Sequence, residues 1–151
     1  MRAEDSAPVS SSKTSSVSVP AARANTRPEK ILRVSLESAS LDSTVVLHCH
    51  ERYISRSDGR VLSSLIAEVL PSARRMIVDL SAVQSLDSGA LGELVMIHMW
   101  AEAAGYALPF ASPSDSLRGL FESTHLVSVF DVYASVDEAI VAMRQEQVQP
   151  A

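Results

Sequence analysis

The chain has 151 residues, 46% of them hydrophobic, which is enough for one domain with a buried core; aromatics make up only 5%, so aliphatic side chains must fill it. Its formal net charge of −5 is uneven, because residues 1–30 carry five basic and three acidic side chains while the remainder is strongly acidic and holds no lysine. An acidic domain repels phosphate backbones, which argues against nucleic-acid binding, and no apolar run approaches the roughly 20 residues that span a bilayer.

Residues 1–30 are rich in Ser, Ala and Pro with few large apolar side chains, a composition that predicts a disordered tail. Ile31–Ser38 alternates loosely and Thr44–His50 is a β-branched run; both read as strands, paired through a turn at Leu41–Ser43. Arg56–Leu70 has helical spacing, with Val61, Leu62, Leu65, Ile66, Val69 and Leu70 on one face, Ser57 as N-cap and Pro71 as terminator. Met76–Leu80 is short, apolar and suited to a central strand. A second helix is expected from Ser88 to about Ala104, with Gly105 as its C′ residue. Tyr106–Ala111 reads as a strand, Ser112-Pro113-Ser114-Asp115 as the opening of a third helix, with Ser112 as cap, Pro113 at N1 and Asp115 at N3, burying Leu117, Leu120 and Phe121, and Leu126–Val132 as the last strand. Ser135-Val136-Asp137-Glu138 is a capping box for a final helix through about Gln145, leaving residues 147–151 to fray.

The resulting order, β-β-α-β-α-β-α-β-α, predicts an α/β domain over residues 31–146, with a four- to five-stranded, mostly parallel mixed sheet flanked by about four helices.

The most informative segment runs from Arg75 to Leu94: a buried strand, a turn around Ala82–Ser85, and a helix capped by Asp87, whose carboxylate suits both the free amides and the positive end of the dipole. Ser88 follows at the first helical position. Gly89, Ala90 and Gly92 keep the opening turn thin, so that another protein could approach it. Along this helix Leu91, Leu94, Val95 and His98 share one side and are expected to face the sheet. Gly89, Glu93, Met96 and Trp100 fall on the opposite side by 3.6-residue spacing and form a candidate partner-binding patch together with Ser85, Asp87, Ser88 and Gly92.

Asp79-Leu80-Ser81, Val83, Leu86-Asp87-Ser88, Leu91-Gly92 and Leu94 resemble the signature of STAS domains, the anti-sigma factor antagonists of bacteria. The resemblance continues through Ala103-Ala104-Gly105, Ser112-Pro113-Ser114, Leu117, Leu120-Phe121 and Val129-Phe130 to Ser135-Val136-Asp137-Glu138-Ala139. It implies a non-catalytic, cytoplasmic regulator that binds an anti-sigma factor serine kinase of the GHKL type, or a related ATPase, and releases it when the serine opening this helix is phosphorylated. Ser88 is then the candidate phosphoacceptor. The usual pattern, Asp-Ser-Ser-Gly-Leu-Gly, modifies its second hydroxyl residue, and aligning Asp87 and Leu91-Gly92 places Gly89 there. Ser88 stands one residue earlier, about 100° around the helix and about 1.5 Å along it. Asp-Ser-Gly-Ala also resembles the Asp-Thr-Gly-Gly of the STAS subunit in a lipid-asymmetry ABC transporter, which would dock on its ATPase without phosphorylation.

The remaining polar residues carry plainer expectations. A Ser-His-Asp triad lacks both a Gly-x-Ser-x-Gly elbow and a histidine with a local claim on Ser88, and phosphate-binding glycine loops are absent, so neither catalysis nor a cofactor is expected. His98 reads as a satisfied, semi-buried imidazole. His48 and His50 alternate on one strand face, but without an acidic or Cys partner at useful spacing no metal is expected. The single Cys49 excludes an internal disulfide, fits a reducing compartment and reads as core.

Overall fold

A computed structural model describes residues 14–20, 31–39 and 44–148. The β-branched and alternating runs form the strands that their patterns predict: β2 (Ile31–Ala39), β3 (Thr44–Cys49) and β5 (Met76–Asp79). A strand not anticipated, β1 (Thr14–Pro20), pairs antiparallel with β2 from Thr14 opposite Glu37 to Pro20 opposite Ile31. This corrects the expectation of a wholly disordered tail. Strand pairing draws on backbone N–H and C=O groups, which a serine-rich segment supplies as fully as an apolar one. Residues 1–13 and 21–30, like the turn expected at Leu41–Ser43, lie outside the described residues.

Two short strands, β7 (Phe110–Ala111) and β8 (Val132–Tyr133), complete a six-stranded sheet ordered β1-β2-β3-β5-β7-β8. The β1–β2 and β2–β3 pairs are antiparallel; β3–β5, β5–β7 and β7–β8 are parallel. Five of these strands and the four helices follow the order expected from sequence, and β1 is the addition.

Helices α1 (Arg56–Ala73), α2 (Ser88–Ala104) and α3 (Asp115–Ser123) cover one face of the sheet. There Leu62, Ile66 and Leu70 from α1, Leu94, Ile97 and Ala101 from α2, and Leu117 and Phe121 from α3 pack on Val34, Leu47, Met76, Val78 and Phe110. Helix α4 (Val136–Val148) lies on the other face, where Ala139 and Met143 meet Val46, Ile77 and Ala111. α4 runs three residues beyond the expected end at Gln145, into the segment read as frayed.

Several element ends differ from the sequence reading. Ser55, not Ser57, caps α1: its Oγ accepts from the Asp58 N–H, and the Asp58 carboxylate accepts from the Ser55 N–H. Pro71 does not terminate α1. It removes one amide donor near the helix end, while the chain closes a last turn in which the Arg74 N–H donates to the Leu70 carbonyl from the left-handed region at φ 70°. Ser114, rather than Ser112, caps α3. The apolar run Leu126–Val132 is not a strand along its length. A 3₁₀ turn (Leu126–Ser128) precedes β8, because it lets Phe130 drop against Phe110 at 4.7 Å and Phe121 at 5.4 Å while Val127 and Val129 stay exposed. Only two residues of the Tyr106–Ala111 segment are regular strand, although its earlier part already bonds along β5, as in Met76 N–H to the Ala107 carbonyl.

His98 faces inward as expected, but it is neither semi-buried nor satisfied. It is 2% exposed, edge-on to Phe130 at 5.3 Å, and neither ring nitrogen has a hydrogen-bond partner. Glu102 Oε2, at 3.8 Å from Nε2, is too far to serve. Here the imidazole packs as an aromatic plate.

The opposite sheet face carries a polar seam over β2, β3 and β5. His48 and His50 share that face as expected, with ring centroids 6.3 Å apart. Contrary to the sequence reading, His48 has acidic partners: Asp79 Oδ2 lies 2.6 Å from Nδ1 and Glu37 Oε1 lies 2.8 Å from Nε2. The partners are distant in sequence and meet only through strand pairing. Because the two ring nitrogens point to opposite sides, the trio spans three strands rather than converging on one point, and no group of three metal-ligating side chains occurs among the described residues. Burial opposes charge on His48, but the hydrogen bonds and negative charges of Asp79 and Glu37 outweigh it and raise the pKa above the ordinary 6.5. Cys49, on the other side of β3, is buried as expected; burial first, then the charges of Asp79 and Glu51, push its thiol up to about 12.

Two predictions follow from this packing. His98→Leu should be at least as stable as the parent, by up to about 1–2 kcal/mol, because it removes two buried, unbonded polar atoms; a fall in the urea midpoint would show that the imidazole has a role beyond filling space. For His48, a folded-state pKa above the unfolded one makes its contribution complete below pH 6.5 and lost as pH rises through the folded value. The stability advantage of the parent over His48→Gln should therefore shrink as pH rises above about 6.5; an advantage that grows with pH would rule out the bridge.

Candidate functional site

The candidate site is built where two helices start side by side. Short strands β4 (Tyr53–Ile54) and β6 (Ser85–Leu86) pair in parallel, Tyr53 opposite Ser85 and Ile54 opposite Leu86. The pairing is continued by the Asp87 N–H donating to the Ile54 carbonyl at 3.1 Å. One residue further on in each case, the chain turns into α1 and α2. Their first turns are thereby held together before any helix–helix packing begins.

Asp87 ties the junction. Its Oδ1 accepts from the Ala90 N–H at 2.8 Å, the N-cap bond expected for α2. Its Oδ2 accepts from the Arg56 N–H of α1 at 3.1 Å and from the Tyr53 hydroxyl at 3.3 Å. One carboxylate thus serves two helix N-termini. The Ala90 amide is the leading cause of a pKa held below the usual 3.8; burial opposes it, and Arg56, Tyr53 and Gly89 add to the lowering.

Close backbone packing explains the small residues here. A Cβ on Gly59 of α1 would stand 3.1 Å from the Ala90 Cα and 3.3 Å from the Glu93 Cβ. Ala90 is fully buried in this contact, so it belongs to the core and not to a face open to another protein. Gly89 is half-buried against Arg56, and Glu93 is half-buried beside Arg60, with Oε2 at 3.6 Å from Nε. Both lie on the α1 side, where helical spacing had placed them opposite the sheet and open. The hydrophobic surface of α2 is set by two neighbours, the sheet and α1, and a single-period reading recognises only one.

The exposed stripe of α2 is therefore Ser88, Gly92, Met96, Met99 and Trp100, continued from β6 by Ser85. Ser88 is exposed at the first helical position, and Gly92 has open space around it. Met96 is 67% exposed, Met99 57% and Trp100 38%, the last resting partly on Tyr106 with ring centroids 5.6 Å apart. Of the residues expected at the site, Ser85, Ser88, Gly92, Met96 and Trp100 share this outward strip; Asp87 supports it from behind, and Gly89 and Glu93 turn aside. Tyr53, Arg56 and Met99 were missed. Met99 follows from the same periodicity, but nothing local links Tyr53 and Arg56 to a residue more than thirty positions away.

Three of the four histidines are committed elsewhere: His48 bridges Asp79 and Glu37, the Nε2 of His50 lies 2.8 Å from the Ser35 Oγ, and His98 is sealed in the core. The arrangement offers an exposed hydroxyl at the anchored start of a helix, with exposed apolar side chains from its third turn onward. Among the described residues no helix is long and apolar enough to cross a membrane.

The family model for the STAS domain matches residues 26–139. Among solved structures, an anti-sigma factor antagonist from Mycobacterium paratuberculosis is 21% identical with a TM-score of 0.62, over 74% of this chain and 94% of that one. The Bacillus cell fate determinant SpoIIAA, in its phosphorylated form, is 19% identical with a TM-score of 0.55, over 73% and 98%. A sulfate transporter family protein from Wolinella succinogenes is 14% identical with a TM-score of 0.60, over 68% and 85%. At these identities the likeness establishes a shared fold.

Asp87→Ala should lower the urea midpoint at neutral pH, because the Ala90 and Arg56 amides lose their acceptor together. A carboxylate with a depressed folded-state pKa contributes above its unfolded value and loses that contribution as pH falls through the folded one. The difference between parent and variant should thus narrow below about pH 4; a constant difference would mean that the charge of Asp87 plays no part.

Proposed function

The chain belongs to the STAS domain family, and from that premise we propose that it is a non-catalytic, cytoplasmic regulator of bacterial transcription that works as an anti-sigma factor antagonist. Its partner on this reading is a kinase-type anti-sigma factor of the GHKL class or a related signalling ATPase, which docks on the strip from Ser85 to Trp100. The observation that carries the reading is Ser88: an exposed hydroxyl at the first position of a helix whose cap is engaged by two helix N-termini, at the head of an exposed strip that continues along the helix to Met96 and Trp100.

The physics of control follows from that placement. Exposed Met and Trp side chains beside a small-residue turn suit a desolvated contact. Phosphate on Ser88 would add about −1.5 to −2 charges and considerable bulk at its N-terminal end. The same charge sits favourably at the positive end of the α2 dipole, so modification would not loosen the domain itself. Unmodified chain engages its partner, and modified chain releases it.

Affinity capture from the native cell with wild-type, Ser88→Ala and Ser88→Asp proteins, read by mass spectrometry, tests this. Ser88→Asp should recover at least about tenfold less partner than Ser88→Ala, with an unchanged melting temperature. Equal capture by the two would remove the charge-controlled switch. A stable complex with an ABC transporter ATPase, indifferent to added kinase and MgATP, would move the chain to the transporter role implied by Asp-Ser-Gly-Ala.

A further inference from the structure

Position 89 is closed by a residue from another helix. A Cβ built on Gly89 would stand 2.7 Å from both the Cβ and the Cγ of Arg56 and 2.8 Å from its Cδ. Real Cβ atoms do not approach this closely. The obstruction also begins at the Arg56 Cβ, so rotating the side chain cannot clear it. Nor can α1 draw back easily. The Arg56 N–H is held by Asp87 Oδ2 at 3.1 Å, β4 is paired with β6, and the next turn of α1 presses Gly59 onto Ala90. One residue earlier, Ser88 is exposed, and one turn later Gly92 has nothing within 4 Å.

We infer that Arg56 is a specificity-determining residue of the candidate site: its aliphatic stem occupies the position-89 side-chain space and so restricts the hydroxyl of the α2 opening turn to position 88. The inference rests on the reading of Ser88 as the modified residue, but its physical core is independent of any kinase. The glycine at position 89 and the arginine at position 56 form a matched pair, brought together by the β4–β6 pairing across more than thirty residues of sequence. Restoring a side chain at 89 is therefore possible only if position 56 yields. Alanine at 56 gives partial relief because its Cβ remains, and glycine gives full relief.

A double-mutant cycle tests the pairing on the full chain. Gly89→Ala and Gly89→Ser should each lower the melting temperature by about 5 °C or more. Arg56→Gly alone should cost less, and in the Arg56→Gly background the same changes at 89 should cost little. Variants at 89 as stable as the parent would overturn the inference, as would a loss that Arg56→Gly does not relieve. The functional arm maps phosphate on chains recovered from the native cell. It should appear at position 88 in the parent and also at position 89 in Arg56→Gly/Gly89→Ser. Phosphate confined to position 88 in that double variant would overturn the specificity role even if the stability cycle succeeds. Absence of phosphate from both chains would instead refute the modification reading of Ser88 and, with it, the acceptor role assigned to Arg56, while the stability cycle still decides the steric pairing.

Discussion

The Asp87 carboxylate accepts from the first turns of two different helices, and the geometry of the exposed surface derives from that bridge. Each helix begins with amide groups that have no partner within the helix. Here one side chain satisfies donors from both, which places the N-terminus of α1 beside that of α2. The Tyr53 hydroxyl on the same oxygen as Arg56 fixes the carboxylate from the β4 side. Once the junction is set, the interhelical contact has to be thin, and Gly59, Ala90 and Gly89 are the residues that allow it.

That constraint divides α2 into three faces. Leu94, Ile97, His98 and Ala101 are buried beneath it, and Gly89 and Glu93 turn toward α1, leaving Ser88, Gly92, Met96, Met99 and Trp100 outside. A strip on a helix anchored from two sides has its backbone fixed in advance, which suits recognition because little backbone freedom remains to be lost on binding. The polar seam on the far side of the sheet has a different character. His48 between Asp79 and Glu37 joins β2, β3 and β5 through polar contacts. A charged imidazole can donate to both carboxylates at once, and it ties the antiparallel part of the sheet to the parallel part.

Much of the fold was legible in the sequence because local signals coincided with the tertiary result. α2 was read from Ser88 to Ala104 because Asp87 is a strong N-cap and Gly105 a natural left-handed terminator, and both act as such, Gly105 at φ 85°. The order of strands and helices followed from apolar periodicity, and Ser88 emerged as the candidate hydroxyl from its position after the cap. The errors have a common origin. Ser57 and Ser112 were plausible caps by composition, but Ser55 and Ser114 lie where the chain turns. Leu126–Val132 has strand composition, yet the aromatic cluster drew Phe130 inward through a 3₁₀ turn. β1 lies in a serine-rich stretch whose composition reads as tail, and its place at the sheet edge rests on backbone pairing with β2.

From its sequence alone, then, the chain declared an α/β domain of STAS type, the capped helix that carries Ser88, and the aliphatic core beneath it, all of them consequences of periodicity and capping within a few residues. Tertiary structure alone decided which face of α2 stays open, that Asp87 serves α1 as well as α2, that Arg56 covers Gly89, that His48 finds two carboxylates, and that His98 finds no hydrogen-bond partner. Each of these depends on groups brought together from distant parts of the chain by strand pairing and helix packing, and separation along a sequence carries no record of such distances.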